Sequence, residues 1–436
     1  MTALAPFPLA GLLVGPLVHV VLLGPINAAL DCLRAARDMG VDTTVITTGT
    51  GRYRLPSQVD DIGKLVNVPD WGGRTLATAV AEVNDRRPID GVIPGDEYLV
   101  EAAAELAEHH CLPGLSRQTA STVRSKYGTR RILRRAGLPV QRFLTAHSMA
   151  DAYEAAEKIG FPCVFKPVAA GGSMGVSLAR HRRDVAHAYR TAQTALHDFA
   201  YVPVDPMNCR LVLVEQYLAG REYTVEGFVL TGEVTVYSLT EARHGPLPYF
   251  QALAHLGCTP PLSSTWPEIS SFAAAAVRAV GITGGVFNCE VILTPDGPRL
   301  VEINARLAGD RFADITAAVT GLSTPHLAVR AYTGQAPEML GSPRAPWAGI
   351  GYVTAPHLAG RTYGGVKGWE CLPCEVYQQG FNIPPGHRIP HAHDTTSVLA
   401  YALFTAQTRP TAEILIRTIT SLPVKEEALG PAGREG

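Results

Sequence analysis

The chain has 436 residues, 46% of them apolar, with 38 Lys and Arg against 39 Asp and Glu and a formal net charge of −1. That length carries roughly two to four modules of ordinary size. The balanced charge and the lack of basic blocks interleaved with aromatics exclude nucleic acid as the main partner. Eight cysteines are scattered along the chain, and only Cys371 and Cys374 stand close together, which describes a reduced cytoplasmic protein and not a disulfide scaffold.

Residues 1–30 contain no charged side chain, and "LAGLLVGPLVHVVLLG" is apolar. A signal peptide needs a basic start, which is missing. Gly15-Pro16 and Gly24-Pro25 interrupt the run well short of a membrane span. A short tail leading into a buried strand is expected, with no membrane partner. "LVHVVLLG" reads as that strand, Ala28 to Gly40 as an amphipathic helix and "DTTVITTG" as the next strand. This βαβ start predicts a parallel, helix-flanked sheet. "GVIPG" and the helix after it repeat the pattern. Gly24-Pro25-Ile26-Asn27 lacks the three spaced glycines of a dinucleotide fingerprint. Asp96 and Glu97 sit at a strand end, where open α/β sheets place ligands. They are also placed to cap the following helix.

After Gly114 the chain changes character. "SRQTASTVRSKYGTRRILRRAGLP" is a basic helical stretch closed by Gly137 and Pro139, and Met149 to Ile159 is a helix. In "FKPVAAGGSMGVSLAR", Lys166 precedes the glycines and is followed by Pro167. A phosphate loop of the Walker type has its lysine after the last glycine, at a helix start. The segment instead predicts a strand, a flexible turn with Gly171, Gly172, Ser173 and Gly175, and a return strand. "RLVLVEQYLAGREYTVEGFVL" reads as a strand, a kink and a long strand. Pro267 to Gly281 is a helix. The last hundred residues hold short strands and a final helix near Thr411 to Leu422.

"GGVFNCEVILTPDGPRLVEINARLAG" reads as a hairpin turning at Thr294 to Pro298. Pairing Leu293 with Arg299 sets Glu290 opposite Glu302 and Asn288 opposite Asn304, all on one face. Two opposed glutamates repel, and a divalent cation turns that repulsion into attraction. The alternative is a solvated face on which each glutamate meets a lysine. No lysine lies in the segment, so a metal site at Glu290, Glu302 and Asn304 is expected. Arg306 starts on the same face and either serves that site or pairs with Glu302. "CLPC" at Cys371 to Cys374 with His387, His391, His393 and Asp394 reads as a surface loop, since one CxxC without a partner pair is weak support for zinc.

These segments, in this order, resemble the ATP-grasp superfamily, and within it the carboxylate–amine ligases that include the L-amino-acid dipeptide ligases. The resemblance covers most of the chain. It implies an N-terminal βαβ parallel-sheet domain (1–115), followed by an ATP-grasp fold of two α+β subdomains (116–205 and 206–340) and a C-terminal β-rich subdomain (341–436). It also implies roles. Lys126 and Lys166 contact ATP phosphates, with Lys166 and Arg306 serving catalysis. The loop with Gly171, Gly172, Ser173 and Gly175 closes over the phosphates. Glu215, Gln216, Tyr217 and Leu218 face the adenine, and Glu222 the ribose. Glu290, Glu302 and Asn304 hold Mg²⁺, as two ions, with Mn²⁺ as a possible substitute. The implied reaction joins a carboxylate to an amine, both from small molecules of amino-acid type, through an acyl phosphate. A homodimer is compatible with the sequence.

Dipeptide ligases carry a segment of the form ExGHxxP that helps to hold the amino acid. Here the corresponding stretch is "FQALAHLGCTPP". His255 matches the histidine, Ala252 stands at the acid, and Gln251 is the nearest polar group. Another acid, Glu226 or Glu241, is then expected to meet the substrate ammonium, with Arg243 or Arg311 on a carboxylate. Peptide and γ-glutamyl synthesis both remain open. So do a carboxylase of the biotin-dependent kind, which shares the fold, and a non-catalytic nucleotide-binding subunit.

Overall fold

The computed structural model describes residues 18–26, 28–56, 62–197, 211–339, 341–391 and 394–426. The apolar tail before residue 18, Asn27 and His393 lie outside them. The chain opens with β1 (His19–Leu23), α1 (Ala28–Asp38), β2 (Asp42–Thr47), β3 (Lys64–Asn67), α2 (Gly73–Arg86), β4 (Gly91–Pro94) and α3 (Val100–His109). The strands form a sheet in the order β3-β2-β1-β4, and every pair is parallel. Every residue of β1 is buried, as a central parallel strand requires. β3 and α2 extend the expected βαβ pattern. Leu76, Val80 and Val83 of α2 are the residues it buries, and they recur at helical spacing.

The basic stretch expected as one helix is two, α4 (Arg117–Arg124) and α5 (Lys126–Arg135). Ser125 breaks it. Its backbone is extended, and its side chain accepts from Gly128 N to cap α5, the geometry of a serine N-cap. The break sets Lys126 at the first position of a new helix.

A second sheet follows, from β5 (Phe143–Ala146), α6 (Met149–Ile159), β6 (Cys163–Pro167), β7 (Ser177–Ala179), α7 (Val185–His197) and β8 (Val212–Gln216). Its order is β5-β8-β6-β7. β6 and β7 form the glycine hairpin, with Cys163 opposite Ala179. Ala152, Ala156, Tyr189 and Ala192 of α6 and α7 bury one face of this sheet with Cys163 and Phe165.

The rest of the chain builds one long sheet. Its elements are β9 (Arg221–Leu230), β10 (Glu233–His244), β11 (Ala252–Cys258), α8 (Trp266–Val280), β12 (Gly285–Thr294), β13 (Gly297–Asn304), α9 (Phe312–Thr320), α10 (Thr324–Tyr332), β14 (Trp347–Thr354), β15 (Tyr363–Val366), β16 (Val376–Phe381), β17 (Val398–Ala406), α11 (Arg409–Thr420) and β18 (Val424–Glu426). Eight strands pair in the order β13-β12-β9-β10-β11-β14-β17-β16. Residues 341–436 therefore add strands to the same sheet as residues 206–340, while β15 and β18 pair separately. One hydrophobic cluster joins Val20, Leu22 and Leu33 of the N-terminal layer to Phe228, Val286 and Tyr332. The fold is thus α/β and α+β, with a parallel sheet followed by antiparallel ones.

The β12–β13 register differs from expectation near the turn and agrees with it at the carboxylates. Leu293 pairs with Pro298 and Thr294 with Gly297, so the loop is tighter by one residue than a Leu293–Arg299 pairing requires. A register shift between Glu290 and Val291 then restores the count. Val301 is the extra residue of this β-bulge. Glu290 still faces Glu302, and Asn288 still faces Asn304.

Gly227 sits in β9 directly opposite Phe287 of β12. A Cβ there would lie 2.3 Å from Phe287 Cζ and 2.4 Å from Thr235 O. Phe287 is 1% exposed, so its ring has nowhere to move. Gly227→Ala is expected to destabilise the protein by about 2 kcal/mol, in the range for overpacked cores. A urea unfolding midpoint unchanged from the parent would show that the sheet absorbs the methyl group.

Candidate active site

Two adjoining cavities meet where the glycine loop, the second sheet and the β12–β13 hairpin converge. Gly172, Ser173, Glu222, His244, Glu290 and Glu302 line both. The first cavity, of about 90 Å³, lies between the second sheet and the hairpin, with Val164, Val176, Phe250 and Ile292 as apolar walls. Lys126 of α5 and Lys166 of β6 both line it.

Lys166 projects from β6 and ends 2.5 Å from Glu215 Oε2. Arg130 Nε donates to Glu215 Oε1 at 2.7 Å, and Gln141 Nε2 donates to the same oxygen at 3.0 Å. Arg130 is 0% exposed. Burial works against ionisation of Glu215, but Arg130 and Lys166 outweigh it and bring its pKa to about 2. Burial lowers the Lys166 pKa, with Glu215 acting against it. The Glu215 side chain is therefore committed to cations, which leaves backbone groups of this segment to face an adenine. Of the three backbone amides that follow, Gln216 N donates to Arg142 O and Tyr217 N to Pro162 O. Among the described residues, Leu218 N–H is the one of the three without an acceptor.

On the hairpin, Lys126 Nζ lies 2.6 Å from Glu302 Oε2 and also donates to Ala170 O at 2.6 Å. Glu302 thus meets a lysine after all. It comes from α5, far away in sequence, where the local segment offers none. Asn304 Nδ2 donates to Glu302 Oε1 at 2.7 Å and to Asn288 Oδ1 at 3.3 Å. Glu290 makes no ion pair within 4.0 Å among the described residues. Burial, then Glu302 and Glu222, push its pKa well above the usual carboxylate range. Glu290 is half-buried, and a carboxylate there without an ion pair, facing a second one, favours a positive charge between them. The donors are all oxygen, which fits a hard divalent cation. Among the described residues no three His, Cys, Asp or Glu side chains group as a metal site. A cation at Glu290, Glu302 and Asn304 would thus complete its shell with water or ligand oxygens. Cys371 and Cys374 are exposed free thiols.

The second cavity, of about 200 Å³, opens between the hairpin, the end of β4 and the start of α9. Arg306 does not pair with Glu302. It bonds Glu97 at 2.8 Å and Leu307 O at 2.6 Å. Burial opposes ionisation of Glu97, but Arg306 and Arg124 bring its pKa to about 2. Asp96 does cap: it accepts from Tyr98 N at 2.9 Å and from Tyr53 OH at 3.0 Å. Glu222 lies 3.2 Å from His244 Nε2, a partner that nothing in the sequence pattern singles out. His255 lies against Phe312 and Tyr352, with ring centroids 4.7 and 5.8 Å apart. Burial, and then His244, bring its pKa to about 3, so its ring is neutral. Neither ring nitrogen has a hydrogen-bond partner among the described residues.

Five expected substrate groups are not brought to this cavity. Gln251 donates to Asp394 O and Ser397 Oγ at 2.9 and 2.8 Å. Glu226 is 1% exposed and accepts from Thr316 Oγ1 at 2.6 Å. Arg311 turns into a neighbouring cleft of about 640 Å³, where Nη2 donates to Tyr401 OH at 2.8 Å. Glu241 is held by Arg243 at 2.5 Å and Arg409 at 2.7 Å, and Arg243 also binds Glu413.

Residues 159–314 match the model of the ATP-grasp domain. That segment carries an ATP-grasp domain. The matched segment spans β6 to the start of α9 and holds Lys166, the glycine loop and the Glu290–Glu302 pair. An L-amino acid ligase from Bacillus licheniformis has the same fold, with a TM-score of 0.78 and 21% identity over 95% of this chain and 100% of that one. A biotin carboxylase from Campylobacter jejuni also matches, with a TM-score of 0.63 and 16% identity over 93% of this chain and 92% of that one. Dapdiamide A synthase from Enterobacter agglomerans is 29% identical over 153 residues. The matched stretch is 34% of this chain and 34% of that relative, so the chain spans about a third of its length. ATP-grasp enzymes use ATP and Mg²⁺. No helix among the described residues is long and apolar enough to cross a membrane.

The two opposed glutamates of the ATP-grasp hairpin predict opposite effects on the ligand-free protein. Glu290→Gln relieves a repulsion and is expected to stabilise by about 0.5–1 kcal/mol on the cross-strand scale. Glu302→Gln strips Lys126 of its counter-charge and is expected to destabilise. The sign with pH follows from the raised Glu290 pKa. The parent loses stability as pH rises above the unfolded carboxylate value through the raised folded one. The gain from Glu290→Gln should therefore grow with pH over that window. Melting curves across pH 4–8, without divalent ions, check both signs. Equal shifts from the two variants would contradict the asymmetry set by Lys126.

Proposed function

We propose that the chain is an ATP-dependent, ADP-forming ligase that joins the carboxylate of one small molecule to the amine of another, both of amino-acid type. The observation that carries this reading is the shared wall of the two cavities. The glycine loop and the Glu290–Glu302 pair separate a lysine-lined chamber from one that holds Arg306 and a neutral histidine. Nucleotide and acceptor would meet across that wall.

The chemistry needs charge control more than bond-making by the protein. A carboxylate is a poor electrophile. Its oxygen attacks the γ-phosphorus of ATP and ADP leaves, which gives an acyl phosphate. The amine then attacks the acyl carbon, loses a proton, and phosphate leaves. Lys126 and Lys166 would offset charge on the phosphate oxygens. Val164 and Ile292 would sandwich the base, with Leu218 N–H as a donor to it. Glu222 would accept from the ribose. Mg²⁺ at Glu290, Glu302 and Asn304 would neutralise the phosphates and align them. Arg306, held in place by Glu97, would meet negative charge on the transferred group. The loop at Gly171 to Gly175 would keep water from the acyl phosphate. The reaction and a cytoplasmic setting for it belong to the same proposal.

The carboxylase reading shares the first step, with bicarbonate as the acceptor. The second cavity favours the larger acceptor. His255 and Phe312 give it an aromatic wall, a surface that a bicarbonate ion does not need.

With Mg²⁺, ATP and a screen of amino-acid pairs, product formation should release ADP and phosphate, each in step with an amide seen by mass spectrometry. AMP and pyrophosphate as the main products would sink the acyl-phosphate route. Arg306→Ala is expected to lower kcat by about 100-fold, as for loss of one preorganised donor. A fall confined to KM would place Arg306 in binding and not in phosphoryl transfer.

A further inference from the structure

The cavity beside Arg306 has a charge pattern that the sequence conceals. Asp96 is met by Tyr53 and Arg52. Glu97 is met by Arg306, Glu222 by His244 and Glu302 by Lys126. Of the carboxylates that line the cavity, Glu290 and Asp310 make no ion pair among the described residues. Glu290 lies on the hairpin itself. Asp310 lies just before Phe312, whose ring contacts the His255 ring, and lines the same cavity.

Asp310 is held in an unusual way. Its φ is +47° and that of Arg311 is +65°, two successive non-glycine residues in the left-handed region. Such strain costs of order 1–3 kcal/mol per residue and marks sites where a side chain must be aimed. Tyr352 OH donates to Asp310 O at 3.2 Å and fixes the turn. Arg311 swings away to Tyr401 and Asp314, so the exposed Asp310 carboxylate has no ion-pair partner among the described residues, and Arg306 acts on it only from beyond 4.0 Å. His255 supplies a second, independent sign of a ligand. It is 6% exposed, lines the same cavity and has two ring nitrogens without hydrogen-bond partners among the described residues. Buried polar atoms left unpaired cost about 1–3 kcal/mol.

We infer that Asp310 and His255 together hold the ammonium group of an amino-acid substrate, and that Asp310 supplies the counter-charge absent at Ala252. A neutral imidazole offers one acceptor nitrogen, and a carboxylate offers charge. An ammonium group needs both. Glu226 and Glu241 are engaged elsewhere, which leaves Asp310 to do this. The inference rests on the ligase reading for its substrate class, but it is a statement about binding and is tested as one.

The probe is the set of proteinogenic L-amino acids and their desamino analogues. They are titrated by calorimetry into the full chain with Mg²⁺ and a non-hydrolysable ATP analogue. The parent should bind at least one amino acid and prefer it to its desamino analogue. Asp310→Asn should lose about tenfold or more of that amino-acid affinity, in line with removal of a charged hydrogen-bond partner. Affinity for the desamino analogue should change less than about twofold. Asparagine tolerates positive φ, so this variant keeps the turn, and unchanged affinity for the nucleotide analogue confirms that it is folded. Asp314→Asn is the control. Asp314 is occupied by Arg311, and its loss should leave amino-acid affinity as in the parent. Equal affinity of parent and Asp310→Asn for the amino acid overturns the inference. So does an equal loss in Asp314→Asn, which would reveal a general field, and so does failure of the parent to bind any amino acid. If binding behaves as expected but no amino-acid pair yields an amide, the ligase reading fails and the ammonium site stands.

Discussion

Two carboxylates face each other across the β12–β13 ladder, and the surrounding structure is arranged around the charge they bring. Opposed like charges destabilise a sheet, and burial makes the conflict worse. The protein resolves half of it. Lys126 meets Glu302 at 2.6 Å, while Glu290 has no ion pair among the described residues. The asymmetry is set by a capping event: Ser125 ends one helix and starts the next, and so aims Lys126 at the hairpin from the first turn of α5. A lysine at a helix N-terminus is unfavourable to the helix dipole, so this placement is a local cost offset at the carboxylate.

The neighbouring cluster follows the opposite rule. Glu215 receives Arg130, Lys166 and Gln141, and its charge is fully engaged inside the fold. Two cations on one buried carboxylate leave a net positive charge, aimed at the smaller cavity. A phosphate is the kind of ligand such a surplus favours. The pattern is therefore complementary: a deficit of positive charge at Glu290 and a surplus at Lys166, facing across a narrow gap. A divalent cation and a polyphosphate together satisfy both, and neither alone does.

Much of this architecture was legible in the sequence because it is local. The helix from Met149 to Ile159, the lysine strand before the glycines and the hairpin turn at Pro295-Asp296 all follow from spacing, caps and turn residues. The opposition of Glu290 and Glu302 was legible for a partly accidental reason. The turn is one residue tighter than supposed, and the bulge at Val301 cancels the difference. What the sequence hid is long-range. Nothing near Glu241 announces that Arg409, 168 positions away, will neutralise it. Nothing near Glu226 announces Thr316, and the approach of Glu97 to Arg306 joins two different sheets. Sequence spacing identifies groups with the right chemistry. Whether they are free to use it depends on partners that only the fold assembles.

The glycine loop shows why that assembly matters for the proposed reaction. A Cβ at Gly171 would stand 2.5 Å from Glu97 Oε1, and one at Gly172 would stand 2.8 Å from Thr395 Oγ1. The loop thus lies against the N-terminal sheet on one side and the C-terminal segment on the other, while Lys126 ties its base at Ala170 to the hairpin. Glycine is needed there for close approach and, at Gly172 and Gly175, for φ of +64° and +72°, which side chains disfavour. One short segment therefore touches the elements that carry Glu97, Glu302 and the C-terminal wall. Because Gly172 and Ser173 line both cavities, the loop cannot move away from one without opening the other. In the proposed reaction, nucleotide release and exposure of the acyl phosphate are then a single event, so the intermediate must be consumed before the loop lets ADP go.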